Sequence, residues 1–165
     1  MSCEKVIHPF APVFDDQCRI LISGSLPSVK SREQNFYYRH PQNRFWRVLA
    51  ASFGCPVPET VEEKKELLLT HHIALWDVIK ECEITGSSDA SIKNVVPNDL
   101  KEILDAAPVS VILCNGKAAE KYYRKYHLSD VEPVVLPSTS AANAGWSLDR
   151  LIDVWRPVLC GKEAV

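Results

Sequence analysis

The sequence predicts an α/β chain, folded as a three-layer α/β/α sandwich around a central, mostly parallel sheet. Three observations predict it. Short apolar runs (RILIS, IALWDVI, VSVILCNG and VEPVVLP) alternate with stretches whose apolar residues recur at helical spacing. The runs end in glycine, proline or polar turns, the punctuation between strands and their crossover helices. With 165 residues, 46% of them hydrophobic, the chain has enough material for one sizeable core and too little for two.

Taken in order, residues 1–18 read as a proline-broken lead-in to a single domain spanning 1–165. RILIS is a short buried strand that opens on a turn at Gly24. From Asn43, NRFWRVLAASF sets Phe45, Trp46, Leu49, Ala50 and Phe53 on one helical face, and Gly54 followed by Pro56 stops the helix. Thr60-Val-Glu-Glu63 matches a capping box for a helix running to about His71. IALWDVI reads as a second strand. Residues 86–99 read as an irregular loop, after which Asn98 is placed to cap the short helix DLKEILDAA. VSVILCNG and KAAEKYYRKY form a strand, a glycine turn and a helix; VEPVVLPSTSAAN is a strand and loop; Ser147 caps the closing helix LDRLIDVWRPVL. Right-handed crossovers then bring the strand ends to one rim of the sheet, where open α/β folds hold ligands.

Composition narrows the function. The net charge of −2 offers no bulk attraction to nucleic acid, although a local basic face is compatible with it. The six cysteines, at 3, 18, 55, 82, 114 and 160, form no C-x-x-C pair and show no zinc or iron–sulfur spacing, so reduced thiols and no metal or other cofactor are expected. No apolar run is long enough to span a membrane, and MSCEKVIHPFAP lacks the apolar core of a signal peptide. A soluble, cytoplasmic monomer is the expectation.

GSLPSVKS, residues 24–31, resembles a phosphate-binding loop only in part. Gly24, Lys30 and Ser31 fit, but Val29 stands where a second glycine is needed and Pro27 removes an amide donor. The segments converging on the rim, GSLPS, YYRHPQNRFW, GSSD and LPSTSAAN, hold no Ser-His-Asp order, paired carboxylates or metal set. Neutral amides and hydroxyls beside aromatic rings suit a flat heterocycle, bonded at its edge and stacked on its face.

Jointly, GSLPS, YYRHPQNRFW and LPSTSAAN resemble the uracil-DNA glycosylase superfamily, and within it the deoxyinosine (hypoxanthine) branch, from about Arg19 to Pro157. The resemblance implies a monofunctional enzyme that flips a deaminated base out of DNA and hydrolyses its bond to the sugar. Superfamily members specific for mismatched uracil and thymine carry a catalytic Asn in the first motif, where this chain has Leu26; the implied replacement is Asn43, whose carbonyl is read as accepting from the attacking water while its NH2 anchors to a neighbour. Asn43 equally suits a helix-capping role. Asp89 is a second catalytic candidate, set against a solvated loop acid.

The turn Gly24, Ser25, Leu26, Pro27 and Ser28 is implied to present backbone to base and sugar, with Tyr38 stacking under the base and His40 donating to it or steadying the turn. Ser138, Thr139, Ser140, Ala142 and Asn143 are implied to grip phosphates and enter the vacated stack, although Ala142 is small for a wedge. Lys117 opens a basic helix face with Lys121, Arg124 and Lys125, a pattern shared by ordinary solvated helices. A uracil or G·T mismatch glycosylase, and a non-catalytic lesion-binding module, are the alternatives.

Overall fold

The computed structural model describes residues 3–8, 11–25, 36–38, 41–85 and 91–160. Four strands, β2 (Ile20–Ser23), β3 (Ile73–Leu75), β6 (Val111–Asn115) and β7 (Val134–Leu136), form a wholly parallel sheet in the order β3-β2-β6-β7. Side chains that alternate along a strand serve opposite faces. Ile20, Ile22, Ile73, Leu75 and Leu113 enter one core cluster, while Leu21, Ala74, Ile112 and Cys114 enter the other. Both faces of the sheet are buried, which is why its strands read as continuous apolar runs.

The first cluster is closed by α1 (Phe45–Phe53), α2 (Val61–Thr70) and α5 (Leu148–Leu159), through Phe45, Val48, Leu49, Leu68, Leu151 and Trp155. On the opposite face lie the short helix α3 (Lys101–Leu104) and α4 (Lys117–Lys125), which contribute Ile103, Ala119, Tyr122 and Tyr123. The predicted three-layer sandwich is therefore present. Its punctuation also matches: Gly54 ends α1 at φ 67°, Thr60 and Glu63 form a reciprocal capping box, and the Ser147 hydroxyl accepts from the Arg150 amide.

A second sheet departs from the sequence reading. Strands β1 (Cys3–Ile7), β4 (Ile79–Thr85) and β5 (Lys93–Pro97) pair antiparallel in the order β1-β4-β5. The lead-in thus contains a strand, IALWDVI divides between two sheets at Trp76–Val78, and residues 93–97 are extended. Asn98 does not cap the following helix, whose N-cap is Leu100. Its amide instead donates to the carbonyls of Asp77 (2.7 Å) and Ile79 (3.3 Å), holding the bend where the chain leaves one sheet for the other.

Candidate active site

Parallel topology delivers the C-terminal ends of β2, β3, β6 and β7 to one rim, and with them Gly24, Asp77, Asn115 and Ser138 to Ser140. Asp77 is almost wholly buried. Its Oδ1 accepts from the Gly24 amide at 3.1 Å and its Oδ2 is 2.9 Å from His8 Nε2, just beyond β1. A Cβ added to Gly24 would lie 2.7 Å from Asp77 Oδ1 and 2.9 Å from the Tyr38 hydroxyl. Only glycine lets the turn approach both groups so closely.

Asn43 sits immediately ahead of α1, facing the loop after β7. Its Oδ1 accepts from the Phe45 amide and from the Thr139 hydroxyl, both at 2.9 Å. The fully buried Thr139 hydroxyl also accepts from Asn115 Nδ2 at 3.1 Å, and the Asn115 carbonyl takes the Thr139 amide at 3.1 Å. A chain of neutral groups therefore runs from the end of β6 through the β7 loop to the first amide of α1. Because a backbone N–H can only donate, the Phe45 bond fixes which end of the Asn43 amide is oxygen. The two acceptor sites of that oxygen are therefore occupied by protein, so the carbonyl expected to hold the attacking water is already engaged, and Nδ2 is the part of the amide left without a partner among the described residues.

Arg44 ties the same loop down. Its Nη2 donates to the carbonyls of Ser140 (2.9 Å) and Asn143 (3.2 Å), and its Nη1 donates to that of Trp146. The Arg44 amide bonds the Thr139 carbonyl at 3.0 Å. Within the loop, Asn143 Nδ2 donates to the Ser138 carbonyl at 3.0 Å, and the Ser138 and Ser140 hydroxyls accept from the amides of Ser140 and Ala142. These loop side chains thus spend polar atoms on their own backbone, a turn chemistry natural to Ser and Asn.

Tyr38 stacks on Phe45, with ring centroids 4.1 Å apart, and holds a left-handed backbone at φ 54°. Its buried hydroxyl has no hydrogen-bond partner among the described residues. Burial, and then the charge of Asp77, push its ionisation far above the usual phenol range; the Asn115 side chain opposes the shift without reaching hydrogen-bonding geometry. The phenol stays protonated and keeps its donor.

The rim thus brings together Gly24, Ser25, Tyr38, Asn43, Ser138, Thr139, Ser140 and Asn143; Ala142 is exposed on the loop, and Lys117 is exposed at the start of α4, two residues past Asn115. Leu26, Pro27, Ser28, His40 and Asp89 lie outside the described residues. Sequence reasoning left Asp77 undecided and missed His8, Arg44 and Asn115. The signal for Asn115 was available, since a polar residue that ends an apolar strand before glycine falls on the rim. No such local signal marks His8 or Arg44, whose partners are distant in the chain.

Residues 11–158 match the family model described as the uracil DNA glycosylase superfamily. A protein of Methanosarcina acetivorans described as hypoxanthine DNA glycosylase is 37% identical over 143 residues, covering 86% of this chain and 90% of that one. One of Methanosarcina barkeri with the same description is 36% identical over 136 residues, covering 81% and 86%. A solution NMR structure from M. acetivorans superposes with a TM-score of 0.80 at 34% identity, over 93% of this chain and 97% of that one.

Proposed function

Because the chain belongs to the uracil DNA glycosylase superfamily, we propose that it excises hypoxanthine from deoxyinosine in DNA and leaves an abasic site. The rim holds a neutral amide fixed in one orientation, Asn43, and that observation carries the reading at the level of chemistry. The description shared by the two Methanosarcina relatives supports hypoxanthine as the base.

In the reaction, the bond from C1′ to the purine nitrogen breaks and a water oxygen bonds to C1′. The sugar keeps a hydroxyl and the departing base takes the other proton. Positive charge builds on the sugar and negative charge on the base, so a donor aimed at the base stabilises the transition state more than the ground state. Asn43 fills that part through Nδ2, since its carbonyl is held by Thr139 and Phe45. The Tyr38 ring, already stacked on Phe45, is the platform for the base, and its hydroxyl is enclosed beside Gly24. Gly24 and Ser25 present backbone to the nucleotide, and the 138–143 loop meets the DNA strand; Leu26, Pro27, Ser28 and His40 keep the roles the family resemblance implies, and Asp89 stays the second catalytic candidate.

Incubation with a deoxyinosine duplex followed by alkali tests the activity. Strand scission at the lesion is expected only after alkali, and an intact strand at stoichiometric protein overturns the reading. Release of uracil in preference to hypoxanthine would select the mismatch alternative. Asn43→Ala is expected to lower single-turnover base release by about 10²–10³, the size of effect seen when one transition-state donor is removed. A fully active variant removes Asn43 from the mechanism.

A further inference from the structure

Residues 41–47 and 141–144 flank the Asn43–Thr139 bond and face each other across a solvent-open cleft of about 370 Å³. Pro41, Gln42, Arg44 and Arg47 form one wall, and Ala141 and Ala144 the other. The two arginines have different work. Arg44 spends its guanidinium on loop carbonyls, as described above. Arg47 is exposed, and its guanidinium makes one long bond, from Nη2 to the backbone carbonyl of Asn43 at 3.3 Å. A guanidinium has five N–H donors, so most of those on Arg47 are available. Among the described residues no carboxylate pairs with it.

The opposite wall is bare. Ala141 and Ala144 are exposed and end at a methyl, and the loop that carries them is fixed in place by Arg44. The result is a groove with one largely uncommitted cation in one wall and no acid or bulky group among the residues lining the other. A tetrahedral monoanion on an extended chain fits this chemistry, and in DNA that group is a backbone phosphate. Because residues 41–47 carry Asn43 itself, a phosphate held there belongs to the strand whose nucleotide is presented to Asn43.

We propose that the cleft between residues 41–47 and 141–144 is a phosphate-binding groove, in which Arg47 neutralises a backbone phosphate of the lesion-bearing strand beside the extruded nucleotide. The proposal rests on DNA being the substrate, but not on which base is excised. It also makes the alanines useful, since a longer side chain at Ala141 or Ala144 would close the groove.

The test is equilibrium binding of the full chain to an unmodified duplex across a series of salt concentrations, which requires no base release. Each neutralised phosphate contributes about 0.9 to the slope of log affinity against log salt. Arg47→Ala is expected to reduce that slope by about one and to weaken binding about tenfold at low salt, with Arg47→Lys restoring the slope. Lys101→Ala, on the opposite face of the molecule, removes the same charge and should leave the slope unchanged. Ala144→Glu, an exposed loop change, should weaken binding further by placing a carboxylate in the groove. An Arg47→Ala slope equal to that of Lys101→Ala overturns the proposal, as does undiminished binding by Ala144→Glu. A wild-type chain that binds with the expected slope yet releases no base from any lesion duplex would instead overturn the glycosylase reading and leave the groove standing.

Discussion

Thr139 joins the amides of Asn43 and Asn115 with a single hydroxyl, so Thr139→Val removes both bonds while keeping the side-chain volume. Asn43 then loses one of the two contacts that orient it. Base release is expected to fall about tenfold or more, while Thr139→Ser, which keeps the hydroxyl, stays near wild type; single-turnover kinetics on a deoxyinosine duplex distinguish them. Unmaking a buried hydrogen bond should also cost about 1–3 kcal/mol in urea unfolding. The residue types at this site were legible in the sequence, but their pairings were not. Arg44 reaches carbonyls 96 to 102 residues further along, and nothing in HPQNRFW marks an arginine bound for those acceptors rather than for solvent. Asn43 shows the reverse case: a bond to the helix start and a part in the chemistry were both readable from its position, and the structure shows the first, with Oδ1 on the Phe45 amide from the residue before the Arg44 N-cap, while the second is the proposal made above through Nδ2.

At the scale of elements, legibility followed locality. The start of α2 is written in four consecutive residues, and the Thr60–Glu63 box forms as read, with Glu63 Oε1 accepting from the Thr60 amide at 2.9 Å. Thr60→Ala is expected to cost about 1 kcal/mol, read from the urea midpoint at unchanged slope. Base release should be unaffected, because the side-chain bonds of this cap stay within residues 59–63 and reach no rim residue. The antiparallel sheet had no comparable local signal. Strand β1 pairs Val6 with Cys82, a partner set by tertiary contact alone. Strand β4 carries two register shifts that break its alternation, and the exposed β5 contains a proline and an asparagine at φ 54°. Each feature argues against a strand until the neighbouring strand is known.

For the whole molecule, burial sets an alkaline limit. Cys18 and Cys114 are fully enclosed, and burial first of all raises their thiols from 9.0 to about 11 and about 12 respectively. Above pH 9 the unfolded chain loses these protons while the native one keeps them, so the unfolded state binds fewer protons and stability falls as pH rises. The contribution is complete below about pH 9 and is lost through the range of about 9 to 12. Urea midpoints should therefore be level from pH 7 to 8.5 and decline beyond 9, with a shallower decline in a Cys18→Ala variant, compared by slope rather than by absolute stability.

Asp77 is also reached from the second, antiparallel sheet. The imidazole at its Oδ2 arrives on the chain's eighth residue, beyond a strand that belongs to the other sheet. Trimming the amino terminus by one short ribbon would therefore strand an acid behind the doorway of the cleft, and the tight bend leaning on that acid would be first to sag. This ribbon is in that sense part of the doorframe, and changes in it should be felt where the nucleotide enters.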